Sequence, residues 1–218
     1  MTGHLDVQVD AALFDMDGTL VDSNAVVEQM WSAFANEQSL SPSDVIAFAH
    51  GVPSMSTLRR FVPDSADIEA WFARISRWEE EHFDEVTQMP GAGQLLEALP
   101  ADAWAVVTSA LRLPALRRLA AVGFATPAVL IGADDVGMGK PDPEGYVAAA
   151  RALGVDPSRC VVFEDTVAGI LAARAAGAIP VVMGAVRHEA MEGIARLSDW
   201  RGVRVEQGTE ARLHLLSD

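Results

Sequence analysis

Short apolar runs alternate with stretches in which apolar side chains recur every three or four residues. This alternation is typical of a parallel sheet with helices packed on both faces, so it predicts an α/β fold. Helices are expected from Gln94 and from Leu111, and one or two edge strands are expected near the C-terminus, at 203–205 and 213–216. The strand-like runs are residues 7–14, 104–108, 129–131, 161–163 and 181–183.

One long segment departs from the alternation. Residues 23–89 contain no convincing strand, and their apolar positions keep helical spacing, for example at Trp71, Ile75 and Trp78. An aromatic stripe of this kind is more typical of the inner face of a small helical bundle than of a ligand-binding box. The sequence therefore predicts an all-helical insert at 23–89 and a core formed by residues 1–22 and 90–218.

The first apolar run ends in two carboxylates, Asp15 and Asp17, which are followed by Gly18. The period of two along a strand places both acids on the same side where the strand ends. Carboxylates this close repel each other unless a cation lies between them or one of them takes a proton. The pair therefore indicates Mg²⁺, one nucleophilic acid and one proton carrier, with Gly18 turning backbone N–H groups toward a phosphoryl group. A plain strand-ending turn is the alternative.

Two further polar segments follow strand-like runs. The hydroxyl and amide groups of Thr108, Ser109 and Ala110 suit phosphate oxygens at the carboxyl edge of a sheet, although Ser and Thr also cap helices. Lys140 lies between Gly139 and Pro141 in a loop that two glycines and two prolines constrain, whereas an ordinary surface lysine needs no such constraint. A cation at this place would lower the pKa of Asp15 and offset phosphoryl charge.

A fourth segment, Glu164 and Asp165, ends another apolar run in adjacent acids. Asp165 is also a candidate N-cap for the helix that follows. Adjacent acids at the end of a strand fit metal ligation better, because hard cations such as Mg²⁺ prefer carboxylate oxygens.

In this order, the acid pair, the Thr-Ser pair, the lysine and the second acid pair resemble the four motifs of the haloacid dehalogenase-like hydrolase superfamily, over essentially the whole chain. The resemblance implies a Rossmann-like core and a helical cap, inserted after the first motif, that closes over small substrates. It implies that Asp15 forms an aspartyl-phosphate. It also implies that Asp17 protonates the leaving alcohol and then activates water.

The resemblance also implies a ligand set. Mg²⁺ would be held by Asp15, the backbone carbonyl of Asp17 and Asp165, with Glu164 either on the metal or one layer behind it. The phosphate would be bound by Thr108 or Ser109, by the Ala110 amide and by Lys140. Lys140 would also bridge to Asp15. Ala110 replaces a glycine often found at its position, which removes no ligand.

The chain is further similar to bacterial sugar phosphatases and to yeast glycerol-phosphate and deoxysugar-phosphate phosphatases, in segments 50–53, 57–61, 134–136 and 140–144. This implies a Mg²⁺-dependent phosphatase for small sugar or polyol phosphate monoesters, with His50 either reaching the substrate or ending a cap helix. Dehalogenases of the superfamily lack an acid at the position of Asp17, so the presence of Asp17 disfavours cleavage of a carbon–halogen bond.

Two alternatives stay open. A β-phosphoglucomutase-like enzyme would carry an arginine where Ser54 stands, although Arg59 is a candidate substitute. A non-catalytic binding protein of the same fold is the other alternative, and the complete set of motif residues disfavours it.

Composition restricts the partners. A net charge of -15 opposes binding to nucleic acid, whose phosphates require an excess of Lys and Arg. No stretch approaches the ~20 apolar residues of a membrane helix, and the N-terminus lacks a signal-peptide pattern. We therefore expect a cytoplasmic protein, monomeric or homodimeric, that acts on a small phosphorylated metabolite and binds neither nucleic acid nor membrane.

Overall fold

The computed structural model describes residues 5–63, 65–207 and 212–217. A parallel sheet of six strands forms the centre of the molecule and confirms the predicted α/β fold. In spatial order the strands are β6 (Leu130–Ile131), β5 (Trp104–Val107), β2 (Ala11–Phe14), β7 (Cys160–Glu164), β8 (Ile179–Met183) and β9 (Arg196–Leu197). Strand β9 was not predicted, because two residues carry no readable period.

Side chains alternate between the two faces of this sheet and build two separate apolar clusters. Ala12 and Phe14 of β2 face one cluster, whereas Ala11 and Leu13 face the other. All four are fully buried, as expected for a central parallel strand covered on both sides. The first cluster packs against α5 (Ala92–Ala98) and α6 (Arg112–Ala121), and the second against α7 (Glu144–Ala152) and α8 (Val167–Ala175).

A bundle of four helices leaves the core after β3 (Val21–Asp22) and returns at β4 (Thr87–Gln88), and these two short strands pair antiparallel. The helical insert, as we call it, consists of α1 (Asn24–Glu37), α2 (Pro42–Ala49), α3 (Ser54–Phe61) and α4 (Ser65–Glu81). Its own apolar cluster contains Phe34 and Trp71, whose ring centroids lie 4.8 Å apart. The aromatic stripe of α4 thus packs inside the bundle. Among the helices of the described ranges, none is long and apolar enough to cross a membrane.

One strand prediction was wrong. Residues 7–14 do not form a single strand, because the chain changes sheets at Asp10. The Asp10 amide donates to the carbonyl of Arg159, and the Asp10 carboxylate accepts two hydrogen bonds from the Arg159 guanidinium. The residues before Asp10 form β1 (Leu5–Val9), which joins β11 (Leu213–Ser217) and β10 (Arg204–Gln207) in a small antiparallel sheet.

Candidate active site

The carboxyl ends of two neighbouring strands bring the predicted acids together. Asp15 directly follows β2, and Glu164 and Asp165 stand at the end of β7, which pairs with β2. One carboxylate oxygen from each of the three lies within 4.8 Å of the others, and Asp15 and Glu164 are buried. The strand-end reasoning therefore located an acid cluster that the fold does form.

Gly18, which follows the first acid pair, adopts a backbone conformation that leaves space for Asp165. Its φ is +76°, and a Cβ at this position would lie 2.1 Å from Oδ2 of Asp165, so the close approach of Asp165 requires glycine here. The expected anion cradle, however, does not use the Gly18 amide, because this N–H donates to the carbonyl of Val21 at 2.8 Å. Gly18 shapes the loop and makes room for Asp165. This corrects its predicted role, in which its N–H would donate a hydrogen bond to phosphate.

Lys140 reaches the acid cluster from its loop. Its Nζ donates to Oδ1 of Asp15 at 2.5 Å, to Oε1 of Glu164 at 2.6 Å and to the carbonyl of Val107 at 3.1 Å. The side chain is 6% exposed, so the ammonium is almost entirely surrounded by these acceptors. Burial lowers the pKa of Lys140, but the charges of Asp15 and Glu164 outweigh this and raise it well above its usual value.

Glu164 is fully buried and its carboxylate is saturated by the protein. Oε1 accepts from Lys140 and from the hydroxyl of Tyr146 at 3.1 Å, while Oε2 accepts from both the amide and the hydroxyl of Thr166 at 2.9 Å. A Cβ on Gly169 would lie 1.7 Å from Oε1, so the first turn of α8 presses directly on this carboxylate. Of the two placements expected for Glu164, these contacts favour the layer behind a metal, where it orients Lys140.

The electrostatics of the remaining acids favour a cation in the cluster. Burial, reinforced by the charge of Glu164 and opposed by Lys140, raises the pKa of Asp15 to about 8. Burial and the charges of Asp15 and Glu164 raise the pKa of Asp165 well above its usual range. Within the part of the chain that the structure describes, Oδ1 of Asp165 is buried without a hydrogen-bond partner. A divalent cation with oxygen ligands would satisfy this atom and favour the ionised form of both acids, so these residues fit Mg²⁺.

Asp17 has a partner that the motifs did not indicate. Nη1 of Arg118, on α6, donates to both oxygens of the Asp17 carboxylate at 2.6 and 2.7 Å, and the Ser23 hydroxyl donates to the same carboxylate at 2.5 Å. Nη2 of Arg118 lies 3.5 Å from Oε1 of Glu79 on α4. The guanidinium therefore links the predicted acid-base residue to the helical insert.

The polar groups after β5 form hydrogen bonds within the protein. Thr108 Oγ1 accepts from the Ala110 amide at 3.1 Å, which leaves the Thr108 hydroxyl proton available for a ligand. The Ala110 N–H is therefore already used within the loop, which corrects its predicted role as a hydrogen-bond donor to phosphate. The Ser109 hydroxyl donates to the carbonyl of Gly51 at 3.0 Å, in the loop between α2 and α3. Thr108 and Ser109 thus differ: the first suits a phosphate oxygen, and the second fastens the insert to the core.

These residues line a chamber of about 90 Å³ between the core and the helical insert. Asp15, Asp17, Asp165 and the Thr108–Ala110 segment lie on the core side of this chamber. His50 lines it from the end of α2, and its Nε2 lies 3.6 Å from Oε1 of Glu28. The other lining residues from the insert are Asn24, Val27, Met30, Trp31, Ala49, Gly51, Val52, Ser54 and Glu79.

Comparison with known proteins identifies this arrangement. The family model of the haloacid dehalogenase-like hydrolases matches residues 9–177. The chain belongs to the haloacid dehalogenase-like hydrolases. This confirms the family that the four motifs predicted.

Two similar proteins of the family are phosphatases by name, and one similar solved structure is that of a hydrolase. Hexitol phosphatase A of Escherichia coli (strain K12) is 41% identical over 177 residues, which cover 79% of this chain and 82% of that protein. Glycerol-1-phosphate phosphohydrolase 2 of Saccharomyces cerevisiae is 36% identical over 187 residues, which cover 81% of this chain and 75% of that protein. A solved hydrolase from Pseudomonas syringae has a TM-score of 0.76 at 26% identity and covers 87% of this chain and 92% of its own.

The superfamily motifs did not point to Arg118 or Glu79, but a signal for both exists in the sequence. Arg118 lies on the same helical face as Ala115 and Leu119, which are buried, and Glu79 follows buried Ile75 by four residues. A charged residue at a position where the helical period predicts an apolar one is a candidate for a buried polar contact.

Proposed function

We propose that the protein is a Mg²⁺-dependent phosphatase that hydrolyses small sugar or polyol phosphate monoesters through an aspartyl-phosphate on Asp15. The observation that carries this proposal is the position of Asp15 on the core side of the chamber, where its Oδ1 accepts a hydrogen bond from Nζ of Lys140 at 2.5 Å. Asp17 lines the same chamber two residues further along. A nucleophile, a proton carrier and a cation therefore meet in one place.

In the first step, a carboxylate oxygen of Asp15 attacks phosphorus while the bond between phosphorus and the ester oxygen breaks. Asp17 gives its proton to the departing alkoxide, which leaves as the alcohol. In the second step, Asp17 takes a proton from water as the water oxygen attacks phosphorus, and inorganic phosphate leaves while the Asp15 carboxylate is restored. Lys140, fixed by Glu164, holds Asp15 and offsets negative charge throughout.

The metal would be held by Asp15, Asp165 and the backbone carbonyl of Asp17. When bound, Mg²⁺ supplies positive charge that offsets the repulsion between these acids and the phosphoryl group. We further propose that residues 23–89 act as a cap, since the Ser109–Gly51 hydrogen bond and the Arg118–Glu79 ion pair both join the insert to the core over the chamber.

The proposed substrate class rests on the size of the chamber and on the relatives. The chamber is small and lies beneath the helical insert, which favours a small polyol or sugar over a phosphoprotein or a nucleic acid. The similar proteins named above act on a hexitol phosphate and on glycerol 1-phosphate, according to their names.

A β-phosphoglucomutase-like reaction is the second candidate, because a cavity of about 380 Å³ adjoins the chamber and Arg59 lines it. Ser54, which stands where a mutase would carry arginine, lines both cavities and supplies no charge for a second phosphate. This favours hydrolysis over phosphoryl transfer to a second hydroxyl.

The test is a turnover screen of the purified protein with Mg²⁺ against sugar, polyol and nucleotide monophosphates, with β-glucose 1-phosphate included. Inorganic phosphate and glucose 6-phosphate are both measured. We expect phosphate release from small polyol or sugar phosphates, no detectable isomer, and no turnover by a folded Asp15→Asn variant. Formation of glucose 6-phosphate faster than phosphate would support the mutase reaction instead, and wild-type rates in Asp15→Asn would remove the aspartyl-phosphate.

A further inference from the structure

The ion pair between Glu79 and Arg118 faces the chamber from opposite sides of the boundary between insert and core. Glu79 comes from α4 of the insert and Arg118 from α6 of the core, and both line the same cavity as Asp15 and Asp17. The Glu79 side chain is 18% exposed and that of Arg118 is 5% exposed. Neither residue belongs to the four catalytic motifs.

The contacts of the two groups are unequal. Nη1 of Arg118 donates to both oxygens of Asp17, whereas Nη2 lies 3.5 Å from Oε1 of Glu79. Among the described residues, this long contact is the ion pair that Glu79 makes, although a carboxylate has about four acceptor sites. Burial, opposed by the charge of Arg118, raises the pKa of Glu79. A largely buried carboxylate whose ion pair is this long gains from a ligand that donates hydrogen bonds.

We propose that Glu79 and Arg118 form a hydroxyl-recognition pair that selects phosphate monoesters whose alcohol part carries a further free hydroxyl. This inference rests on the proposed phosphatase function and specifies its substrate. A hydroxyl is the group that matches the pair, because it donates to the Glu79 carboxylate and accepts from Nη2 of Arg118.

The pair lies next to the residue that meets the leaving oxygen in the proposed mechanism. Arg118 binds the Asp17 carboxylate, and Glu79 lies 3.5 Å from Arg118, so the pair faces the alcohol part of the bound ester. A substrate without a further hydroxyl leaves the Glu79 carboxylate without a donor from the ligand, which penalises binding.

The test compares glycerol 1-phosphate, which has two free hydroxyls, with propyl phosphate, which has the same carbon chain and none. We expect wild-type protein to prefer glycerol 1-phosphate in kcat/KM. Glu79→Ala should lower kcat/KM for glycerol 1-phosphate by roughly 10- to 100-fold, mainly through KM, and change propyl phosphate less than about threefold. Glu79→Gln, which keeps the shape and one acceptor, should retain an intermediate preference and guards against a folding defect in the alanine variant.

Glu80→Gln is the matched control. Glu80 is the next residue on α4 and forms an ion pair with Arg117, the residue before Arg118 on α6, but both of these side chains are about half exposed. It therefore joins the same two helices without facing the chamber, and its substitution should leave the preference between the two esters unchanged.

Calorimetric titration of the two esters into Asp15→Asn, with and without Glu79→Ala, measures the preference without turnover. This separates the two proposals. A wild-type protein that hydrolyses neither ester argues against the phosphatase, while the ratio of the two dissociation constants still tests the Glu79–Arg118 pair. Equal losses for both esters in Glu79→Ala, or an unchanged ratio, would overturn hydroxyl recognition and leave Glu79 as a structural contact only.

Discussion

Replacing Gly169 by alanine separates the effect of helix propensity from the effect of the close contact between this residue and the Glu164 carboxylate. In an ordinary helix this change is favourable by ~1 kcal/mol. Here the added Cβ would stand 1.7 Å from Oε1 of Glu164, whereas real Cβ atoms essentially never approach closer than 3.0 Å. The carboxylate must therefore move by more than an ångström, and it cannot do so without losing its contact with Lys140 at 2.6 Å.

The magnitude follows from these contacts. Breaking a buried ion pair costs about 3–5 kcal/mol, from which the helix-propensity gain subtracts about 1, so we expect the free energy of unfolding to fall by ~2–4 kcal/mol. Because Lys140 also holds Asp15, a misplacement of about 1 Å should lower kcat roughly 10²-fold. Urea unfolding followed by circular dichroism and steady-state phosphate release measure the two effects.

Two further variants make the test specific. Ala175→Gly changes an exposed residue in the last turn of the same helix and should alter stability only by its propensity, with kcat unchanged. Glu164→Asp shortens the carboxylate, so its effect and that of Gly169→Ala should be strongly non-additive. A Gly169→Ala protein as stable and as active as the wild type would refute the assignment of Glu164 as the residue that orients Lys140.

Three other outcomes are expected. Asp17→Asn should lower kcat by ~10²- to 10⁴-fold, and a loss below threefold in single-turnover assays would move the acid-base role elsewhere. Removal of divalent cations with EDTA should abolish turnover, and added Mg²⁺ should restore it and raise the melting temperature; EDTA-resistant turnover would argue against the metal. Hydrogen bonds from Arg159 hold the pKa of Asp10 below its unfolded value, so Asp10→Asn should lower the free energy of unfolding by ~0.5–1 kcal/mol at pH 7, and the difference should shrink as the pH falls below about 3.9. A pH-independent difference in unfolding titrations would contradict this reasoning.

The acid cluster was predictable because it depends on where strands end, and strand ends are visible in the sequence. Asp15, Lys140, Glu164 and Asp165 meet because the parallel strands and the loop after β6 all deliver side chains to one edge of the sheet. The same reasoning did not find β1 as a separate strand, since the change of sheets at Asp10 depends on distant partners.

The partners of Arg118 and Glu79 were beyond prediction for a related reason. Each is a charged residue on a buried helical face, and the period of its own helix shows only that it is unusual. Which group it meets depends on how α4 and α6 pack against each other, and this relation is set by tertiary contacts. The Gly18 amide likewise bonds to Val21 within its own loop, which the Asp-Gly spacing does not show.

The pairing of β3 with β4 has a consequence for how such enzymes diversify. Val21 pairs with Gln88 and Asp22 with Thr87, so the chain leaves and re-enters the core at one point through two hydrogen-bonded segments. An insertion, a deletion or a whole exchange of the intervening helices need not alter the register of any strand in the central sheet. The core and the helical insert can therefore accumulate changes at different rates, and a chimera of two relatives needs only two junctions, both within a single pair of short strands.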